Sequence, residues 1–325
     1  MAGLVALSLG FSTTAMAKDI DAIDLFVGDF VGVASIDFDK LVANKMISDT
    51  FEQNSGSISG AQGVLDSLKA AGIDYKKDID LITVALNEKG HACAAVDAKI
   101  PIREAIDAEA QKRNYAAADY NGLKIYSDSK NSAVVLSDKR VVACENVFDI
   151  KPIIDNAKAE KPKTLKDRDA AIHKAYSATS KGADIRVGAK MTKYLKTKAA
   201  SYKLDDGNGK SIGVSDAEAA SLSISFSKGL NIELVAQSKS EDVAASGTAI
   251  ISTKLTGILS DPSLAELGIG FVKDAVKVVQ DKKNIKASVK FDDKQMATLT
   301  ALLADLSAPA PKAAPKAAPK AAPKK

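Results

Sequence analysis

The chain has 325 residues, 46% hydrophobic and 26% charged, a balance that suits one large or two ordinary domains and excludes wholesale disorder or a polytopic membrane protein. Two Cys and two His are too few for a Cys-rich zinc module, an iron–sulfur cluster or a multi-histidine centre, so no cofactor is expected. The net charge of +4 is unevenly divided: residues 308–325 hold five Lys and no acid, which leaves 40 basic against 41 acidic residues, a net of −1, elsewhere. A balanced body predicts no broad basic face of the kind nucleic acid demands.

Residues 2–11 are apolar or small and uncharged, and Ala15-Met16-Ala17 follows with small residues where a signal peptidase reads. Residues 1–17 are therefore expected to be a signal peptide, with Lys18 as the mature N-terminus. No Lys or Arg precedes the apolar stretch, a departure from the basic n-region of such signals. The run is shorter than the roughly 20 residues a membrane-spanning helix needs, and no Cys stands at the cleavage site to accept a lipid. The expected location is the periplasm or the exterior, with no membrane span after signal removal.

Residues 31–37 alternate and predict a strand; 38–51 take helical spacing through Leu41, Val42, Met46 and Ile47. A helix at 61–71 follows a Ser/Gly loop. Strands at 81–87 and 91–97 flank Glu88-Lys89-Gly90, a turn in which Gly supplies positive φ. Pro101 opens a helix at 102–113, three short strands are expected near 123–127, 133–137 and 140–144, and a helix at 150–159 follows. After a short helix at 168–176 the order begins again: strand 183–188, helix 191–202, and a hairpin of 222–227 with 231–237 around Lys228-Gly229. Ser240 caps a helix with Glu241 and Asp242 in its first turn, where acids favour the helix dipole. Asp261-Pro262 starts another, expected to run through Leu264, Leu267, Phe271, Ala275 and Val278. Strand 285–291 and a helix capped by Asp292 complete the body.

Both halves reduce to strand, helix, hairpin, helix, strand, the order of a ferredoxin-like split βαβ unit. The turns Lys89-Gly90 and Lys228-Gly229 align, which points to an internal duplication. The expected fold is α+β, with two tandem ferredoxin-like repeats of antiparallel sheet, helices on one face and a disordered Lys/Ala/Pro tail. The corresponding divisions are a first repeat at 18–160, a linker with a short helix at 161–182, a second repeat at 183–307 and the tail at 308–325. In such a sheet the first strand separates the third from the last, so Cys93 and Cys144 would stand about 9.6 Å apart, beyond the roughly 7 Å a disulfide spans. Two free thiols are expected on that order, with Cys93 buried as the counterpart of Ile232.

The segment Gly72-Ile73-Asp74-Tyr75-Lys76-Lys77-Asp78-Ile79-Asp80-Leu81-Ile82-Thr83-Val84-Ala85 resembles uncharacterised exported proteins of myxobacteria and related proteobacteria. In these, G-x-D-P-x-x-D-I-D-x-V-x-V-A precedes a strand pair and a second similar half follows; here Tyr75 stands where Pro is usual. The resemblance implies an envelope location and a two-part α+β fold, and supplies no catalytic residue.

Other motifs dissolve on inspection. Gly207-Asn208-Gly209-Lys210-Ser211 imitates the end of a phosphate-binding loop, but Leu204 stands where the first Gly belongs. Counted as a calcium loop from Asp206, Lys210 and Ala217 fall where oxygen ligands are required. His91 and Cys93 share a strand face without a visible third group to orient them. The acid pairs Asp78 with Asp80 and Asp292 with Asp293 fall at element boundaries, where carboxylates cap helices.

The tail is the most specific feature. Proline at every fourth residue blocks a helix, so its eighteen residues reach roughly 50 Å at about 3 Å each. Its readings are a solvated spacer, a covalent anchor through a terminal Lys, or a basic arm in which Lys312, Lys316, Lys320, Lys324 and Lys325 hold anionic envelope polymers. Lipopolysaccharide and teichoic acid suit that arm; an export signal argues against nucleic acid. The function expected from sequence is that of an exported non-enzymatic envelope protein that binds or scaffolds through its surface and tail, with an unidentified protein partner. The alternative is an exported hydrolase whose site is assembled from scattered acids.

Overall fold

The computed structural model describes residues 20–44, 48, 69–201, 203–205 and 211–307. The expected signal peptide, most of the helix at 61–71, residues 207–210 and the tail lie outside them. The described chain enters through a short 3-10 helix, Ala22–Asp24, whose surroundings Leu25, Phe26 and Phe30 are buried. Strand β1 (Gly32–Asp37) runs into α1 (Phe38–Ala43), capped by Asp37, whose Oδ1 accepts the Lys40 N–H at 3.1 Å. Helix α2 (Tyr75–Asp78) carries the resemblance motif: Asp74 caps it, and Tyr75 occupies the first helical position, where Pro is well tolerated. The hairpin β2 (Ile79–Leu86) and β3 (Ala92–Ala98) follows, then α3 (Arg103–Lys112) and four strands: β4 (Ala116–Tyr120), β5 (Leu123–Ser127), β6 (Asn131–Ser137) and β7 (Arg140–Glu145).

Helices α4 (Lys151–Lys158), α5 (Leu165–Arg168) and α6 (Ala170–Ser177) lead to the second half. The single helix expected at 168–176 is broken at Asp169, which leaves α5 in extended backbone and caps α6 by accepting the Ala171 and Ile172 N–H groups. Then come β8 (Ile185–Lys190), α7 (Lys193–Lys198), the small pair β9 (Lys203–Asp205) and β10 (Ser211–Gly213), and the hairpin β11 (Ala217–Ser225) and β12 (Leu230–Ser238). Helix α8 (Glu241–Leu259) starts at its Ser240 cap as expected. The stretch from Pro262 differs from its expectation. It forms α9 (Pro262–Glu266) and the single turn α10 (Val272–Ala275), then becomes β13 (Val276–Asp281), because a run of β-branched Val pairs with a neighbouring strand. That neighbour is β14 (Asn284–Phe291), followed by α11 (Asp293–Ser307), where the Asp292 and Gln295 side chains each accept the other's backbone N–H.

Twelve strands form one sheet in the order β13-β14-β12-β11-β8-β1-β2-β3-β7-β6-β5-β4. Every pairing is antiparallel, as in a ferredoxin-like sheet, but in a split βαβ unit the two helix-linked strands run parallel with a third strand between them, whereas β1 and β2 are antiparallel neighbours. The ferredoxin-like order is thereby corrected. Each half begins with a strand at the centre of the sheet, runs outward through its hairpin and meets its last strand next; β1 and β8 pair with each other. The connection between β1 and β2 reverses direction instead of crossing over, and the two halves share one sheet.

Helices also lie on both faces, against the one-face expectation. One face carries an apolar row across nine strands: Val141, Val96, Ile82, Ile36, Ile185, Ile224, Ile232, Val289 and Val276 stand in register. Phe38, Ile73 and Ile102, from the α1, α2 and α3 region, bury against its first half, and α8 packs where Gly247 meets Ile285. The opposite face of the first half, built on Val33, Ala85, Ala95, Val134 and Val142, is covered by Ile153, Ile154, Leu165 and Ile172 of α4 to α6 and by Phe26 and Phe30.

Candidate functional site

The register row next to the apolar one, on the opposite face, changes character midway. In the first half it reads Val134, Val142, Ala95; from the centre outward it reads Thr83, Ser35, Arg186, Ser223, Glu233, Ser288 and Lys277. Helix α6 sits over the junction. Its Tyr176 hydroxyl shares a 2.5 Å hydrogen bond with Ser35, and the Arg186 guanidinium lies 4.3 Å from the Tyr176 ring centroid while its Nε donates to Thr179 Oγ1 at 2.8 Å. Burial raises the Tyr176 phenol above its ordinary pKa, and it stays protonated. Beyond α6, Ser223 Oγ accepts the Ser180 N–H, and the Ser180 hydroxyl donates to Glu233 Oε2 at 3.3 Å. Further out the face opens: Val279 of β13 is 53% exposed. One half of this face is core and the other is polar surface.

The cysteines are bonded. Cys93 and Cys144 stand directly opposite on β3 and β7, with Cα atoms 4.1 Å apart and a disulfide between them. The free-thiol expectation fails because β3 borders the last strand of its half, where the ferredoxin-like order would have interposed β1. Cys93 is fully buried as expected, though not for the expected reason. The turns at Gly90 (φ 85) and Gly229 (φ 87) do match, yet Cys93 shares a face with Val33 and Ala85 whereas Ile232 lies in the apolar row of the other face. A one-residue difference in register between the halves turns every side chain over.

Bonding removes Cys93 as a nucleophile, and His91 is otherwise engaged. Its Nδ1 lies 2.7 Å from Glu145 Oε2, while Glu145 Oε1 accepts the Ala92 N–H at 2.9 Å. These two interactions hold the Glu145 carboxyl below its ordinary pKa. The pair closes the open end of the β3–β7 ladder beside the bridge. Of the acid pairs named from sequence, Asp78 accepts the Asp74 N–H at 2.8 Å and Asp292 caps α11. Tyr126 is pushed up to about 12 by burial and by its 2.8 Å hydrogen bond to Asp107. Among the described residues no three His, Cys, Asp or Glu side chains come together as a metal site, and no helix is long and apolar enough to cross a membrane.

A depression of about 440 Å³ opens where the β2–β3 turn meets the end of β8, lined by Phe30, Val31, Asn87, Glu88, Lys89 and Thr192 among others. Lys190, at its rim, is paired with Asp169, and Asn87 Oδ1 is occupied by the N–H groups of Lys89 and His91. Its lining mixes two acids, Asp29 and Glu88, with two lysines, Lys89 and Lys190. The tail lysines singled out from sequence lie outside the described residues; the chain leads toward them from β14 through α11.

No family model matches the chain, and no curated protein matches it. Its fold is similar to that of TP0453, a protein solved in several crystal forms. Form IV aligns with a TM-score of 0.51 at 8% identity, over 89% of this chain and 99% of that one. Form I aligns with a TM-score of 0.50 at 9% identity, over 88% and 98%. At such identity the likeness is one of fold, and it extends through both halves of the sheet.

Proposed function

We propose that this is an exported, non-enzymatic protein of the bacterial envelope, which binds anionic polymers through its C-terminal tail and presents that tail on a rigid sheet. The charge distribution carries this reading: five tail lysines stand on a chain whose remainder nets −1. Export is supported by the apolar run ending in Ala-Met-Ala and by the Cys93–Cys144 bridge, since structural disulfides persist in oxidising compartments. N-terminal sequencing of protein from its native cells is expected to begin at Lys18, in a periplasmic or secreted fraction. Intact Met1 in the cytosol would refute export.

Binding by the tail is electrostatic, so affinity falls steeply with salt through counterion release. Deleting residues 308–325 is expected to abolish retention on heparin at low salt and to leave the melting temperature unchanged, because the tail contributes no large apolar side chain to the core. Equal retention of the truncated chain would sink the reading.

A further inference from the structure

The balanced charge of the body conceals a local excess. The outermost hairpin, β13 with β14 and their turn, contains Lys277, Lys282, Lys283, Lys286 and Lys290 against one acid, Asp281: a net of +4 in sixteen residues. Register places three of these lysines on the open polar face. Lys277 stands opposite Ser288, and Lys286 and Lys290 stand two residues to either side of Ser288 on β14. At about 3.4 Å per residue the three form a row with a cation roughly every 7 Å along the strand. Lys282 and Lys283 continue it into the turn, where both are exposed.

Two acids share this face of β12 to β14. Asp281 pairs with Lys286 at 2.6 Å, and Glu233 accepts from Ser180. Lys277, Lys282, Lys283 and Lys290 have no ion pair among the described residues. The other residues facing outward on the hairpin are Val279, Asn284 and Ser288, so no aromatic ring is presented; Phe291 turns to the opposite face and packs edge-on against Phe271 at 5.9 Å. Binding of single-stranded nucleic acid relies on such rings as stacking platforms.

We propose that the β13–β14 hairpin is a second, folded polyanion site, a track for one linear phosphate polymer that carries no bases. This inference rests on the reading of the tail as a polyanion-binding arm and extends it: tail and hairpin belong to the same end of the chain, joined by α11, and grip successive stretches of one polymer. Asp281 offsets Lys286 within the row and Glu233 accepts from Ser180, so the excess charge of the track lies on Lys277 and Lys290 and on Lys282 and Lys283 at the turn.

The test is equilibrium binding of full-length protein to long-chain inorganic polyphosphate, and to oligothymidylate with the same number of phosphates, across a salt series. The triple substitution Lys277→Gln, Lys286→Gln and Lys290→Gln is expected to lower the slope of log K against log salt by about 2, near 0.7 for each phosphate that is no longer neutralised. Lys→Arg at the same three positions should restore the slope. Replacing Lys124, Lys130 and Lys139, exposed in the first half, by Gln should leave it unchanged. A slope equal to wild type in the hairpin variant overturns the folded site, and if replacing the five tail lysines by Gln then abolishes binding, the tail reading survives alone. Tighter binding of oligothymidylate overturns the base-free ligand class. No binding of polyphosphate by the wild-type chain overturns both readings.

Discussion

Replacing both Cys93 and Cys144 by Ala is expected to lower unfolding free energy by roughly 4 kcal/mol, the chain-entropy value for a bridge that closes a loop of this length. The half-cystines are 51 residues apart in sequence and enclose α3 and β4 to β6, so the unbridged chain regains the freedom of that entire segment on unfolding. Both sit among Val33, Ala85, Ala95 and Val142 in the core, so truncation to Ala also removes buried sulfur packing. Urea titration of wild-type and double-Ala protein measures the loss, and reduction of the wild type should reproduce most of it. A midpoint that does not move, with no change in slope, would show that the bridge adds nothing to the native state.

The second large effect is expected at Gly188. A Cβ built there would lie 2.3 Å from the Tyr176 nitrogen and 2.5 Å from its Cα, so α6 rests directly on the backbone of β8. The atoms it would meet are helix backbone, which cannot yield as the end of a side chain can. Gly188→Ala must lift α6, stretching the Tyr176–Ser35 hydrogen bond and separating Arg186 from the Tyr176 ring. Overpacking of this kind costs about 1–3 kcal/mol, and loss of the buried hydrogen bond adds about 1 kcal/mol. Gly188→Val should cost more again. Gly182 provides the control: it has open space around its Cβ position and no positive φ, so Gly182→Ala should leave the urea midpoint nearly unmoved. Equal midpoints for the two Ala variants would contradict the close approach of α6.

Particular elements show where sequence reading succeeded. Hairpins around Gly90 and Gly229 and the caps Ser240, Asp261 and Asp292 follow from chemistry within a few residues of each site. Four strands escaped, among them the short pair β9 and β10. The Ala-rich β4, exposed along nearly its whole length, has neither β-branched side chains nor a buried face to announce it. Val276, Val278 and Val279 of β13 also fit a helical spacing, and only pairing with β14 decides between the two periods.

The candidate surfaces divide in the same way. The tail lysines are legible because low-complexity sequence needs no fold to bring its charges together. The hairpin lysines are invisible to a count that averages the body to −1; strand alternation and register gather Lys277, Lys286 and Lys290 on one face. The polar half-row from Thr83 to Lys277 likewise exists only once seven strands lie side by side.

By itself, then, the sequence determined the period of most segments, most of the places where helices start and the turns, all of which are set by near neighbours and backbone sterics. The tertiary structure decided which strands became neighbours, and with that the bond between Cys93 and Cys144, the single sheet across both halves and the change from core to polar surface along one face. Strand order is a choice among long-range pairings whose local chemistry is nearly equal. What selects among them is the burial of whole faces against helices contributed from distant parts of the chain.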